Sequence, residues 1–285
     1  MPGVSQELTP RAYWPAPTGT QVATIGYSYV SGDTIPDPSL PLTGVDSKIG
    51  SLTVGYLQTL DLWGRTANVT LELPYSDGET DGETDFGLTL AQDYKGMGDA
   101  ALSLSVNFMG APAMNAQEFA ALRASPGPIL GGSIKIVAPT GSYDSDNLIN
   151  VGANRWALKA ELGFIAPLAP KWLFELDLGV WMFQDNDDFL GFTKEQNPIT
   201  AIQAHLVHIL PRGTWASFDA SYYKGGRSTL AGRRLDDLQR DSKIGVTLVY
   251  PFAHKQAVKV GYSVGSLNDS EENFDVWIIA YSRIF

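Results

Sequence analysis

The sequence predicts a single all-β fold, a closed antiparallel up-and-down transmembrane β-barrel of twelve strands. Three observations predict it: apolar and polar residues alternate along most of the chain, short and long connections take turns between the alternating segments, and one register of each segment is much more apolar than the other. Alternation with a period of two is typical of strands whose two faces meet different surroundings. Alternating short turns and long loops are typical of outer-membrane barrels.

The alternation divides the chain into twelve predicted strands. Val69, Leu71 and Leu73, for example, alternate with Thr70 and Glu72. The predicted strands cover residues 20–30, 46–58, 65–75, 98–109, 128–139, 151–166, 171–184, 198–210, 214–225, 240–252, 255–266 and 273–285. We expect the short turns to be periplasmic and the longer, polar connections to be extracellular loops. An even number of strands then places both termini on the periplasmic side.

Two segments lie outside this pattern. Residues 1–19 have no periodicity and predict an irregular periplasmic-side segment before the barrel domain, which spans residues 20–285. Residues 114–124 predict a short helix in a periplasmic-side connection, because Asn115 and Glu118 have the spacing of a capping box and a Pro-Gly pair follows. The sequence leaves open whether this helix folds under the barrel mouth.

The two registers predict which face of the barrel meets lipid. One register consists mainly of Leu, Val, Ile and aromatic residues, whereas the other is small or polar and repeatedly contains glycine. Small residues relieve crowding on the concave inner face of a closed barrel. Aromatic residues at the ends of the apolar register match the two interfacial girdles of an outer-membrane barrel. The alternative is a soluble β-sandwich, for which we expect a bulkier polar register.

The sequence given ends in an apolar strand, "FDVWIIAYSRIF", with Phe285 as its last residue. Such a strand needs a partner on each side, so we expect it to close the barrel against the first strand. Phe285, with Tyr281 in the same register, resembles the signal by which the outer-membrane assembly machinery recognises barrels. Arg283 departs from that signal, and we expect it to snorkel to the periplasmic interface.

Composition argues against several classes of protein. The net charge of −11 argues against a nucleic-acid partner, because phosphate contacts need basic surfaces. The sequence contains no cysteine, hence neither disulfides nor thiolate metal sites. Acidic stretches at 76–85, 185–188 and 269–273 are expected to be solvated loops, although such clusters can also bridge divalent ions to lipopolysaccharide. We expect no metal and no cofactor.

Residues 1–3 lack the features of a signal peptide, so we expect a leader to have been removed.

The inner register supplies the candidate lumen residues. Five acids and five bases face inward by parity, which predicts a near-neutral, hydrated or salt-bridged lumen with weak ion selectivity. These residues are Glu72, Glu161, Glu175, Asp177 and Asp219 with Lys135, Arg155, Lys159, Lys243 and Lys259. Four aromatic residues share the register, namely Trp181, Phe183, Trp215 and Tyr223. The aromatic set is a candidate solute-binding patch, and its alternative role is packing within the barrel wall. The alternative for the charged set is structural pairing between strands.

One stretch carries a family resemblance. The segment "IVAPTGSYDSDNLINVGANRWALKAELGF" (136–164), with "PAPTGT" at 15–20 and Gly98-Asp99, resembles the outer-membrane channels of the phenol meta-pathway degradation family. The matching features within it are Pro139-Thr140-Gly141, Tyr143-Asp144, Asn150-Val151-Gly152 and Asn154-Arg155-Trp156. The resemblance spans most of the chain and implies a monomeric twelve-stranded barrel that takes up small, often aromatic or hydrophobic, growth substrates.

A channel for passive uptake of small molecules is therefore the expected function, with outer-membrane lipids, lipopolysaccharide, small solutes and the assembly machinery as partners. The alternatives are an outer-membrane barrel enzyme of the lipase or protease type and a structural or adhesive barrel. His205 and His208 lie three residues apart in one strand and point to opposite faces, so they cannot share a catalytic site. The mostly short and acidic loops argue against adhesion.

Overall fold

The computed structural model describes residues 8–33, 45–83, 89–265 and 273–285. Within these ranges no helix is both long and apolar enough to cross a membrane. The described α-helix, α1, spans Ala116–Ala124, and a 3₁₀ turn spans Pro211–Gly213. The strands are β1 (Gln21–Gly32), β2 (Val45–Leu62), β3 (Arg65–Glu83), β4 (Thr89–Met97), β5 (Ala100–Met109), β6 (Ile129–Ala138), β7 (Ala157–Ala169), β8 (Trp172–Phe183), β9 (Asn186–Phe189), β10 (Phe192–Gln196), β11 (Ile199–Ile209), β12 (Trp215–Gly225), β13 (Ser228–Leu230), β14 (Arg233–Arg234), β15 (Gln239–Ala253), β16 (Gln256–Gly265) and β17 (Phe274–Ile284).

The long strands form one closed antiparallel barrel. β1 pairs with β2 on one side and with the last strand, β17, on the other, where Val22 lies opposite Ile284. β4 and β5 both pair with β3 and are two parts of a single barrel strand, so the barrel has twelve strands. The predicted fold class is confirmed. The turns at 63–64, 170–171, 210–214 and 254–255 define the short-turn end of the barrel, and the opposite end is the long-loop end.

The apolar register faces outward. Leu162, Phe218 and Trp277 are each more than half exposed despite their size, while the residues between outward positions point to the interior. A continuous apolar surface of this kind is rare on soluble monomers, because exposing it to water is unfavourable. Contact with the hydrocarbon of a membrane removes that unfavourable exposure.

The barrel strand formed by β4 and β5 is interrupted at Gly98 and Asp99. β5 pairs with residues 67–72 of β3, and β4 pairs with residues 75–83. Pro74 lies opposite the interruption and has no N–H to donate, while its carbonyl accepts a hydrogen bond from the N–H of Gly98 at 2.9 Å. The interruption leaves the side chain of Asp99 available for contacts with a loop.

The acidic stretch at 76–85 is not the loop that the sequence predicts. β3 continues to Glu83 and pairs with both β2 and β4. Its charges are stabilised across the ladder, since Lys48 Nζ lies 2.9 Å from Glu79 Oε1. The end of this stretch and most of the acidic stretch at 269–273 lie outside the described residues.

A four-stranded sheet in the order β14-β13-β10-β9 lies at the long-loop end. It joins residues 185–197 to residues 226–239, which the sequence predicts as separate loops. The hairpins turn at Leu190-Gly191 and Ala231-Gly232, where all four residues have positive φ, as expected of tight two-residue turns. These strands are too short for a period of two to be visible in the sequence.

Candidate functional site

The N-terminal segment, residues 8–20, enters the barrel interior at the short-turn end. Tyr13 is only 3% exposed. Its hydroxyl lies 3.0 Å from Ser133 Oγ and donates a hydrogen bond to Glu161 Oε1 at 3.0 Å, while Asn107 Nδ2 donates to its carbonyl at 3.1 Å. Burial raises the pKa of the Tyr13 phenol, so the hydroxyl remains a donor at neutral pH.

Two inner glycines make room for the ring of Tyr13. A Cβ at Gly163 would lie 2.0 Å from Tyr13 Cε2, and a Cβ at Gly131 would lie 2.5 Å from Tyr13 Cδ1. The sequence predicts that inner glycines relieve crowding between wall residues. At these two positions the crowding comes instead from a residue that precedes the first strand.

Arg11 anchors the same segment. Its guanidinium carbon lies 4.5 Å from the centre of the Trp14 ring and 5.3 Å from that of Trp215, distances at which aromatic faces attract a cation. Its backbone N–H donates to Glu175 Oε2 at 2.6 Å. Burial lowers the pKa of Arg11 to about 10 against the opposing effect of Glu175, so the side chain stays charged at neutral pH. Two predicted lumen residues, Glu175 and Trp215, thus hold the N-terminal segment.

The helix α1 lies against the short-turn end of the interior, where Phe119 and Leu122 pack on a buried apolar cluster. The buried members of this cluster are Tyr13, Ala111, Met114, Ile129, Ile165, Leu173 and Val207. Asn115 begins the helix by accepting hydrogen bonds from the N–H groups of Gln117 and Glu118 at 2.9 and 3.0 Å. The N-terminal segment and the helical connection therefore fill this end of the barrel together.

A buried polar network lies on the inner wall next to the N-terminal segment. His205 Nδ1 lies 2.8 Å from Asp219 Oδ1, and His205 Nε2 lies 3.8 Å from Asp177 Oδ2. Thr247 Oγ1 donates to the second oxygen of Asp219 at 2.7 Å. Buried polar groups need hydrogen-bonding partners, and these contacts supply them for both oxygens of Asp219 and for His205 Nδ1 within the wall.

The structure divides the predicted lumen residues into a buried and a half-buried set. The buried set consists of Lys135, Arg155, Lys159, Glu161, Glu175, Asp177, Trp181, Asp219, Tyr223 and Lys243. The half-buried set consists of Glu72, Phe183, Trp215 and Lys259. Members of the buried set contact other protein groups, as in the Lys159–Glu161 ion pair at 2.6 Å. A solute in the barrel would meet few of them directly.

The aromatic lumen residues are packed into the wall. Trp181 and Tyr223 belong to a buried cluster with Ala101, Val137, Ile199 and Ala201. Trp181 stacks on Phe183 with ring centres 6.4 Å apart, and the guanidinium of Arg155 lies 4.6 Å from the centre of the Phe183 ring. Of the two stacked rings, only that of Phe183 is half-buried.

A polar strip remains accessible on the opposite side of the interior, along β16, β17, β1, β2 and β3. Its members are half-buried, whereas most inner side chains of β8, β11 and β12 are buried, apart from the half-buried Phe183, Ile209 and Trp215 at the strand ends. The strip consists of Thr24, Ser28, Thr53, Asn68, Thr70, Glu72, Lys259 and Ser282. The buried side is the one whose inner wall binds residues 9–13 of the N-terminal segment, through Ser133, Glu161, Glu175 and Gln203. On the side of the polar strip, the described part of the segment hydrogen-bonds Thr59 through Gly19 and Thr20, where it enters β1.

The polar strip offers both hydrogen-bond donors and hydrogen-bond acceptors. Thr24 Oγ1 and Ser282 Oγ lie 2.9 Å apart across the closing ladder. Glu72 pairs with Lys135 at 2.8 Å, yet its side chain remains 34% exposed. The sequence identifies Glu72 and Lys259 by their charge, but it gives no sign that the neutral hydroxyl residues beside them are the accessible ones.

Asp99 holds a loop at the long-loop end. Its carboxylate accepts hydrogen bonds from the N–H groups of Gly141 and Ala153, both at 2.8 Å. The backbones of Gly141 and Gly152 touch, since a Cβ at Gly152 would lie 2.9 Å from the carbonyl carbon of Gly141. Asp99, Gly141 and Gly152, which belong to separate parts of the sequence motif described above, therefore lie next to one another.

This docked connection, residues 139–156, carries Ile149 and Val151 into a buried apolar cluster in the barrel mouth. The other buried members are Val30, Ile49, Tyr94, Phe189, Phe274 and Val276. The strand predicted at 151–166 begins only at Ala157, because the residues before it are held in the connection.

We expect Asp99→Asn to loosen this connection. The amide retains one acceptor oxygen, so one of the two bound N–H groups loses its partner, at a cost of about 1–3 kcal/mol. Urea unfolding of the barrel in lipid vesicles should show a loss of that size in the free energy of unfolding. Asp187→Asn, which changes an exposed carboxylate at the same end, is the control. An equal loss in both variants would contradict the proposed role of Asp99 in holding the connection.

Solved structures with this fold include outer-membrane proteins. An outer membrane channel from Pseudomonas putida F1 is 21% identical, with a TM-score of 0.79 over 98% of this chain and 100% of that chain. The β domain of the Bordetella autotransporter BrkA is 11% identical, with a TM-score of 0.56 over 94% of this chain and 100% of that one. The translocator domain of NalP from Neisseria meningitidis is 14% identical, with a TM-score of 0.52 over 95% and 90%. At these identities the likeness concerns the fold alone.

Sequence comparison gives a match of a different kind. Residues 18–275 match the model of a family described as "Putative MetA-pathway of phenol degradation". No protein of curated function matches the chain. The family match begins within the N-terminal segment, after Tyr13, and reaches the start of β17.

Proposed function

Since the chain belongs to this phenol-degradation family, which confirms the resemblance carried by residues 136–164, we propose that the protein is a monomeric channel for passive uptake of small molecules across the outer membrane of a Gram-negative bacterium. The description of the family suggests aromatic growth substrates as the solutes. The short-turn end faces the periplasm in this proposal, and the long-loop end faces the outside.

The polar strip is the observation that carries the proposal. A barrel built only as a scaffold can fill its interior completely, as small eight-stranded barrels do. Here one inner wall is buried under the N-terminal segment, while the opposite wall keeps half-buried hydroxyl groups, an amide, an acid and a base. Such groups hydrate a narrow passage and can bind the hydroxyl group of a phenol-like solute while its ring passes.

The proposal is tested with purified protein in planar lipid bilayers, with and without phenol, after heat-modifiable migration on a gel has shown that the barrel is folded. We expect small conductance steps with weak ion selectivity, and a concentration-dependent decrease in current when phenol occupies the passage. An electrically silent protein that also fails to admit small solutes in liposome swelling would overturn the proposal.

Two charge changes in the polar strip are expected to shift ion selectivity in opposite directions. Glu72→Gln removes the half-buried acid and leaves the positive charge of Lys135 nearby, so the permeability ratio should shift towards anions. Lys259→Gln removes a base from the same strip, so the ratio should shift towards cations. Reversal potentials in a salt gradient measure both, and each variant is the control for the other. If the permeability ratio shifts in the same direction in both variants, or does not shift in either, the ions do not pass along the polar strip.

A barrel enzyme is less well supported. A serine-hydrolase arrangement needs a histidine between an orienting carboxylate and a nucleophilic hydroxyl. Both ring nitrogens of His205 face carboxylates, those of Asp219 and Asp177, and the hydroxyl of Thr247 binds Asp219 instead of the histidine. His208 lies outside the interior, where its ring centre is 4.3 Å from that of Trp172.

A further inference from the structure

A groove of about 790 Å³ lies on the outer wall of β1 to β4, near the long-loop end. Its lining includes the outward side chains of Tyr27, Leu52 and Tyr75 together with charged residues of the strand ends. The passage of solutes through the interior makes no use of this site, because the barrel wall separates it from the polar strip.

The ladder registers arrange the groove as three successive rows of outward positions. The first row is apolar or aromatic and contains Tyr27, Leu52 and Tyr75. The second row contains Tyr29, Gly50, Asp77 and Lys95. The third row contains Lys48, Glu79 and Asp93. Polarity therefore rises from row to row towards the long-loop end, over a distance of about 7 Å per row.

Gly50 lets the side chain of Tyr27 lie across the centre of the groove. A Cβ at position 50 would lie 2.7 Å from the hydroxyl oxygen of Tyr27. The Tyr27 hydroxyl therefore lies over the second row, between the apolar first row and Lys48 in the third, and supplies a polar group at the centre of the groove.

The charges at the polar side of the groove are mixed and closely spaced. Lys48 Nζ lies 2.9 Å from Glu79 Oε1, and Lys95 Nζ lies 2.9 Å from Asp77 Oδ2. Both ammonium groups therefore lie over β3, beside outward positions that are two residues apart. Such exposed pairs contribute about 1 kcal/mol or less, so a ligand can replace them. Glu79 also lies directly opposite Asp93, a like-charged pair that a cationic group would relieve.

We propose that this groove binds the headgroup of a membrane amphiphile that carries both a phosphate and a primary amine, as phosphoethanolamine does. The phosphate lies between the ammonium groups of Lys48 and Lys95, and the amine lies against the carboxylates of Glu79 and Asp93. The acyl chains extend along the apolar row of Tyr27, Leu52 and Tyr75. A zwitterion suits two ammonium groups and three carboxylates better than a plain anion does. The inference rests on the proposed placement in a membrane.

Native mass spectrometry of the full chain in detergent micelles tests the site, with phosphatidylethanolamine and phosphatidylglycerol offered in equal amounts. We expect several-fold preferential retention of phosphatidylethanolamine, lost in Lys48→Ala/Lys95→Ala and in Gly50→Leu, whose side chain would displace the Tyr27 hydroxyl from the centre of the groove. Lys224→Ala is the matched control, because Lys224 is exposed on the outer face of β12 near the same end. Equal retention of the two lipids, or equal loss in the control, would overturn the proposal.

Soluble phosphoethanolamine distinguishes headgroup recognition from general lipid adhesion. Millimolar amounts should displace the retained lipid, and lipid retention that is insensitive to this competitor would also overturn the site. Conductance of the same variants separates this inference from channel function. Normal conductance with unchanged lipid retention in the groove variants refutes the groove alone, whereas selective retention by an electrically silent protein supports the groove and refutes the channel.

Discussion

Replacing Tyr13 and Arg11 together with alanine is expected to raise the single-channel conductance several-fold. Both side chains hold the N-terminal segment inside the barrel, Tyr13 through Ser133 and Glu161 and Arg11 through the ring of Trp215. Loss of a buried aromatic side chain costs about 3–5 kcal/mol, and loss of a buried cation–π contact costs about 2 kcal/mol more. A destabilisation of this size moves a docked segment to a mostly undocked population.

Undocking the segment would expose the buried wall as well as the polar strip. The passage would then widen towards Glu161, Glu175 and Asp177, three acids of the inner wall next to the segment. We therefore expect a shift towards cation selectivity to accompany the larger conductance. This second readout separates true opening of the interior from a general loosening of the barrel.

The matched control is Tyr222→Ala, which removes a tyrosine from the outer face of β12. It should leave both conductance and selectivity unchanged. Heat-modifiable migration on a gel verifies that each variant forms a barrel. A folded Tyr13→Ala/Arg11→Ala variant with unaltered conductance would show that the segment does not limit the passage.

Deleting Phe285 is expected to lower the amount of assembled protein in cells several-fold, without a comparable loss in refolding from urea into lipid vesicles. The backbone N–H of Phe285 donates to the carbonyl of Gln21 at 2.9 Å, and its ring is 59% exposed on the outer face. The deletion thus removes one hydrogen bond from a closing ladder that runs from Val22 to Gly32. Such a loss weakens the finished barrel little, so a large effect in cells would report recognition of the terminus during assembly.

Phe252→Ala is the control for Phe285. Phe252 is also outward at the short-turn end and is 49% exposed, but it lies far from the chain end within β15. It should assemble normally in cells. Equal losses in cells and in vesicles for the Phe285 deletion would mean that the residue acts through barrel stability and carries no separate signal.

The architecture could be predicted from the sequence because its signals are local. Alternation within a strand such as Trp172–Phe183 distinguishes the two faces of the strand, and the apolar C-terminal segment implies a partner strand on each side. Parity within a strand predicts the face of each charged residue without knowledge of its neighbours. For Arg155 this reasoning was wrong, because the residue lies in the connection before β7 and not in a strand. A capping box likewise lies within four residues, and α1 begins where Asn115 predicts.

The contents of the interior depended on contacts between distant residues. Tyr13 has no periodic context, yet it meets Glu161, which lies 148 positions later, and the space for its ring comes from Gly131 and Gly163. Asp99 meets Gly141 and Ala153 in the same way, which is why the predicted strand start at 151 was wrong. Parity predicts a direction for each side chain within a strand, but the difference between the buried wall and the accessible wall follows from the side on which the N-terminal segment docks. That choice depends on the summed packing and hydrogen bonding of many long-range contacts, which no local pattern encodes.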